Sequence, residues 1–548
     1  MKKIFSLCLA ACLLFAGQVE ACTSLLVGKK ASKDGSTMIT YAADSHVLFG
    51  ELYHWPAATY PKGTMLDVFE WDTNKYLGQI SQAEQTYSVT GNINEHQLAI
   101  SESTWGGRSE LRDTTGLIDY GSLIYITLQR AKTARQAIKV MTDLVKKYGY
   151  YSSGESFSIA DPNEVWVMEL IGKGPDNKGA VWVAIRIPDD CISAHANHAR
   201  IHQFPLNDKE NCLYSPDVIS FAREKGYFEG KNKDFSFSEA YAPADFGALR
   251  GCDARVWAFF NKYKTGMDQY LPYLNGQDKT PMPLYIKPDS LLSVRDVQNM
   301  MRDQFNNTPF DMTQDVGAGP FEVPYRFRPM TFTVDSVEYV NERAIATQQT
   351  GFSFVAQMRS WLPDPIGGVL WFGVDDANTC VYTPMYCAMT KVPNCYAVGN
   401  GDMLTFSWTS AFWVHNWVAN QAYYRYNQMI TDIRKLQTEI EDSFETMQPA
   451  IEKAALALYE VSPAQAIAFL NHYSNNEAEM ATKNWRTLGE YLLIKYMDGN
   501  VKREKDGQFE RTPYGGAVYP EFPGYSEEYY RSVAKDAGER LRVQELKY

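Results

Sequence analysis

Residues 22–46, CTSLLVGKKASKDGSTMITYAADSH, contain two short runs suited to strands on either side of one turn. Cys22 to Gly28 and Ser36 to Ala42 are apolar or β-branched, and KKASKDG between them supplies the charge and glycine of a surface turn. The pair predicts a hairpin that presents Cys22 at the start of a strand.

The residues before it explain why a cysteine there matters. Lys2 and Lys3 lead an apolar run from Ile4 to Ala16, which is followed by the small-residue ending Val19-Glu20-Ala21. This is the layout of an export signal, and the run falls short of the about 20 apolar residues that span a bilayer. Cleavage after Ala21 would make Cys22 the first residue. Such a cysteine has two mutually exclusive uses: a lipid anchor, which consumes both thiol and amine, or a nucleophile whose own α-amine is its base. Glu20 suits a lipid-attachment box poorly and no Ser/Gly tether follows Cys22, so the nucleophile is the stronger reading.

The chain has 548 residues, a formal charge of −12 and 14% aromatic residues. This composition belongs to a folded chain, and no basic stripe exists for nucleic acid or an anionic membrane face. Without residues 1–21 the cysteines are 22, 191, 212, 252, 380, 387 and 395. In an oxidising compartment up to three disulfides would leave Cys22 unpaired; the other reading is that all are small buried apolar groups.

Further strands are expected at Tyr87 to Ile93, Leu98 to Glu102, Ser156 to Ala160, Glu164 to Ile171 and Ala180 to Ile187. VWVMELI is apolar on both parities, as in a strand covered on both faces. Helices are expected over Tyr120 to Lys132 and from the cap Thr133 to Gly149. From Trp408 to about Met497 the spacing is helical, with a Pro/Gly/Tyr-rich tail after Gly507. The whole reads as a layered α/β core, residues 22–407, after a signal peptide, 1–21, with a helical C-terminal region and tail, 408–548.

Walker A, GxGxxG, HExxH, CxxC and GxSxG signatures are all absent from the sequence. HANHARIH brings His195, His198 and His202 together without an acidic or thiolate partner in register, so no metal and no cofactor are expected.

The opening stretch, with GNINEHQLAISES (91–103), SSGESFSIADPNEVWVMEL (152–170), ISAHANHARI (192–201), GCDARVW (251–257) and SAFWVHNWVANQAYYRYN (410–427), resembles secreted cysteine dipeptidases of the N-terminal-nucleophile type, relatives of penicillin V acylase and choloylglycine hydrolase. The resemblance implies a four-layer αββα sandwich and amide-bond hydrolysis. It implies Cys22 as nucleophile, Asp44 as the aspartate that holds amine or thiol, Asn197 as an oxyanion donor and Arg255 as an active-site arginine.

Two departures stand out. The arginine that the family often carries shortly before the aspartate is missing from Thr40-Tyr41-Ala42-Ala43, so Tyr41 is a candidate for its space. Where the acylases carry an asparagine, this chain has Glu102, Ser103 and Thr104. Thr104 is a candidate oxyanion donor, and Glu102 and Glu169 are candidates for binding a substrate amine. The expectation is an exported dipeptidase acting on small peptides in a bacterial periplasm or extracellular space, with a homo-oligomer left open. The alternatives are an amidase for acylated amino acids or conjugated amides, and a lipid-anchored binding protein.

Overall fold

A computed structural model describes residues 22–544; the expected signal peptide lies outside the described residues. The strands that build the core are β1 (Ser24–Val27), β2 (Thr37–Asp44), β3 (Ala99–Trp105), β4 (Gly154–Ala160), β5 (Val165–Gly172), β6 (Ala180–Ile187), β7 (Ile192–His195), β8 (Thr350–Met358), β9 (Val369–Val374) and β10 (Thr383–Tyr386). β1 and β2 form the expected hairpin, Leu26 facing Ile39. They lie at the centre of a seven-stranded sheet in which β7 pairs with β1, and β8 to β10 continue beyond β2. β3 to β6 run in sequence order through an eight-stranded antiparallel sheet.

The two sheets share an apolar layer in which Leu26, Ile39 and Phe354 of one meet Val167 and Val183 of the other. Alternation sends the remaining side chains of each strand outward. Ile159 and Met168 pack on helix α2 (Ala134–Tyr148), which follows α1 (Tyr120–Leu128). On the far side Leu25 and Val355 pack on α3 (Ala254–Tyr263) and on three C-terminal helices, α4 (Ala411–Tyr424), α5 (Tyr426–Val461) and α6 (Pro463–Tyr496). The molecule is therefore mixed α/β with a helical C-terminal region. β2 and β5 are buried along their whole length, as the two-parity apolar pattern of VWVMELI requires.

Local capping sets the helix ends. The Thr133 hydroxyl accepts the Gln136 N–H at 3.3 Å, and Gly149 closes α2 at φ 80°. The expected strand at 87–93 is instead two short strands, Val89–Thr90 and Ile93–Asn94, because Gly91 turns the chain at φ 55°. Of the two readings of the cysteines, the disulfides do not form: all seven described cysteines are buried free thiols. No helix of the described residues is long and apolar enough to cross a membrane.

Candidate active site

Cys22 stands just before β1, and the Thr23–Ala42 bridge (N–H to O 3.2 and 2.9 Å) fixes the chain behind it. Its side chain is only 5% exposed. The sulfur lies 3.7 Å from the Tyr41 hydroxyl and 3.6 Å from Glu102 Oε1, and the Tyr41 hydroxyl donates to that same oxygen. Burial pushes the Cys22 thiol well up, the Glu102 and Asp44 charges add to this, and the Asp44 backbone N–H and the Tyr41 hydroxyl oppose it. As it stands the site keeps the thiol protonated; to ionise, it needs a cation or a base.

Arg255, fully buried on the first turn of α3, is the hub of the expected set. A π-helical stretch, Ala248–Asp253, leads into α3. One guanidinium nitrogen donates to the Cys22 carbonyl at 2.6 Å and to Thr23 Oγ1 at 2.7 Å, and the other to Asn197 Oδ1 at 2.9 Å. Arg255 thus ties the strand start to the loop after β7. Asn197 adopts φ 56°, a left-handed conformation that asparagine tolerates, and its amide donates to the Thr104 carbonyl at 2.6 Å. Its side chain is held on both sides before any substrate binds.

Asp44 ends β2. Its carboxylate accepts the Thr350 hydroxyl at 2.6 Å and an ion pair from Arg343. Burial raises the carboxyl and the Arg343 charge opposes that rise. Arg343 thereby supplies, from a distant loop, the positive charge that is missing just before Asp44 in sequence.

Glu102 and Thr104, two apart on β3, share a face, and Glu155 stands opposite Thr104 on β4. The Thr104 hydroxyl donates to Glu155 Oε1 at 2.9 Å and lies 3.4 Å from Glu102 Oε2. It serves this pair of carboxylates and is not set up as an oxyanion donor. Burial and the neighbouring Glu102 push Glu155 well above the carboxylate range, so the pair holds a proton.

Glu169 is not part of this group. It is wholly buried, takes the backbone N–H of Ile201 at 3.0 Å and that of Arg200, and anchors the loop after β7. The three histidines also separate. His195 lies between the Ser103 and Ser158 hydroxyls at 2.6 and 2.7 Å, His198 meets Asp253 at 3.1 Å, and His202 meets Ser236 at 3.3 Å.

A buried, oriented thiol whose own carbonyl is held by an arginine that also holds the Asn197 amide suits acyl transfer. The comparisons point the same way. The profile of peptidase family C69 matches residues 21–54 and 51–439. The chain belongs to peptidase family C69. It is similar to a "Probable dipeptidase" of Latilactobacillus sakei, 28% identical over 491 residues that cover 84% of this chain and 93% of that protein. A "Probable dipeptidase" of Salmonella dublin is 25% identical over 412 residues, covering 71% of this chain and 86% of the relative. "Dipeptidase A" of Lactobacillus helveticus is 24% identical over 453 residues, covering 77% and 85%. This C69 peptidase carries two site residues that sequence reasoning missed, Glu155 and Arg343. Glu155 sits in the quoted SSGESFS stretch as an acid on a buried strand, which was a usable signal; Arg343 had none, being far along the chain from Asp44.

Proposed function

We propose that the protein is an exported dipeptidase that cleaves through Cys22 once residues 1–21 have been removed. Its framework is proposed as the αββα sandwich of N-terminal-nucleophile hydrolases, over residues 22–407, with 408–548 as a helical addition. The observation that carries the reading is the fixed position of Cys22, its carbonyl clamped 2.6 Å from Arg255 and its sulfur set against Tyr41 and Glu102.

The chemistry follows from what this pocket lacks. With a peptide bond before it, the Cys22 nitrogen is an uncharged amide, and the surrounding carboxylates hold the thiol protonated. Cleavage frees an α-amine, whose ordinary pKa of about 8 lies close to that of a thiol, about 8.5. The amine accepts the thiol proton, and the resulting ammonium offsets the Glu102 and Asp44 charges. The thiolate adds to the peptide carbonyl, and the negative charge moves to the carbonyl oxygen, where the Asn197 amide is the donor; one such donor is worth about 10²- to 10³-fold in rate. The ammonium returns its proton to the departing amine as the C–N bond breaks. Water then adds to the thioester and releases the acid and the thiol.

The experiment is hydrolysis of an unmodified dipeptide by protein beginning at Cys22 and by its Cys22→Ala variant. The reading predicts turnover by the first and at least about a 10³-fold loss in the second. Equal turnover would refute it. N-terminal sequencing of the secreted protein is expected to begin at Cys22; a fatty-acylated Cys22 would instead mark the lipid-anchored alternative.

A further inference from the structure

Two cavities near the nucleophile differ in charge: one is lined by Cys22 itself, the other by Arg255, which holds the Cys22 carbonyl, and by Asn197. The smaller, about 200 Å³, includes Cys22, Tyr41 and Asp44 in its lining and is walled by Phe49, Trp71 and Tyr120. Its carboxylates are Asp44, Glu51 and Asp72, and no lysine or arginine of the described residues lines it. Asp44 is already matched by Arg343, whereas Glu51 has the Tyr53 hydroxyl and the like charge of Asp402 beside it. Asp72, exposed at the rim, accepts the Tyr120 hydroxyl at 2.7 Å. Behind Cys22 and Tyr41, which line this cavity, Glu102 Oε1 lies 3.6 Å from the sulfur, and the Asp72 charge reaches Glu102. The larger cavity, about 670 Å³, is lined by five arginines, Arg255 and Arg343 among them, and by two carboxylates, Glu110 and Asp245.

Carboxylates beside aromatic faces make an environment for an ammonium ion, which gains from both. Glu51 and Asp72 accept hydroxyls and make no ion pair among the described residues, so an incoming ammonium gains their charge. Distance points the same way. A substrate carbonyl carbon about 3–3.5 Å from the sulfur is poised for attack, and the α-nitrogen of the same residue lies about 2.5 Å from that carbon. The nitrogen therefore lies within about 6 Å of the sulfur, within reach of the Glu102 carboxylate beside the sulfur and of the cavity that Asp72 also lines. The small cavity is below the about 300–1,000 Å³ of common ligand pockets and suits a single residue.

We propose that the small cavity is the subsite for the N-terminal residue of the substrate, its free α-ammonium held between Glu102 and Asp72, while the arginine-lined cavity receives the departing residue with its carboxylate. This rests on the dipeptidase reading and adds a polarity to it. The enzyme then selects peptides with an unblocked amine one residue before the scissile bond, because an acylated amine brings no charge and adds bulk beside Glu51 and Asp72.

The test compares kcat/KM for a dipeptide and its N-acetyl derivative in the wild-type protein beginning at Cys22 and in Asp72→Asn. The wild-type preference for the unblocked form is expected to be at least about 100-fold, and Asp72→Asn is expected to narrow it about tenfold, through KM. Equal cleavage of both forms, or a preference untouched by Asp72→Asn, overturns the subsite. Calorimetry on the Cys22→Ala variant reads the same preference as binding, without turnover. Tight binding of the unblocked form alone, in a protein that cleaves neither, would keep the subsite and sink the dipeptidase reading; equal binding of both would sink the subsite.

Discussion

Arg343 and Asp44, 299 residues apart in the chain, form an ion pair behind the nucleophile, with both side chains nearly or fully buried. Removing one partner of such a pair leaves a buried charge without compensation, at a cost of about 3–5 kcal/mol. Arg343→Met is expected to lose stability on this scale in chemical denaturation and to lose most dipeptide turnover. The double variant Asp44→Asn/Arg343→Met is expected to recover much of the stability but not the turnover. Additive losses in the double variant would show that the two groups act separately.

Glu102 raises the Cys22 thiol by its charge. Glu102→Gln keeps the shape and removes that charge, so the thiol pKa is expected to fall. Iodoacetamide alkylation at Cys22, followed by mass spectrometry across pH, checks this: the rate midpoint moves to lower pH in the variant. A midpoint that stays or rises would contradict the electrostatic account of the pocket.

Glu169 predicts a signature in stability. Burial lifts its carboxyl from 4.5 to about 7, although the Arg200 and Ile201 N–H groups favour the anion. Because the folded-state pKa is the raised one, the folded protein binds more protons than the unfolded chain between these values. The contribution is fully present below about pH 4.5 and is lost as pH rises to about 7, an effect on the order of 3 kcal/mol. Thermal unfolding of Glu169→Gln across this range is expected to show a flatter pH dependence than wild type. An unchanged slope would assign the effect elsewhere.

These residues show what could and could not be read along the chain. The β1–β2 hairpin and α2 follow from neighbours within a few positions: apolar alternation, a turn of lysines and glycine, and Thr133 and Gly149 at the helix ends. The helical C-terminal region followed from the same kind of spacing. Cys22 was legible because the residues before it have the pattern of a cleavage signal. Glu169 was legible as an acid but not in its role, since its partners are backbone N–H groups that no sequence pattern marks. Arg343 reaches Asp44 only because β8 lies beside β2, a long-range pairing. Glu51 and Asp72 come from separate loops that meet only in the folded chain.

The C-terminal helices belong to the same core as the sheets. Trp485, Ile433 and Val369 lie in one buried cluster, and Arg359 makes paired bonds of 2.9 and 2.6 Å to Glu452 on α5. A chain ending at residue 407 would leave the outer face of β9 and β10, at one end of the β1–β2 sheet, uncovered. It is therefore expected to lack a cooperative unfolding transition, and Trp485→Ala in the full chain is expected to cost about 3–5 kcal/mol. A soluble fragment 22–407 that unfolds cooperatively would make the helical region an independent unit.

The account depends most on the free amine of Cys22. The direct measurement is dipeptide hydrolysis by protein beginning at Cys22 beside the same protein with one glycine added before it. An amide in place of the amine removes both the base and the cation that the acidic pocket requires, so the extended protein is predicted to lose at least about 10³-fold in kcat. Equal turnover by the two proteins would mean that another group takes the thiol proton, and would contradict the mechanism built on Cys22.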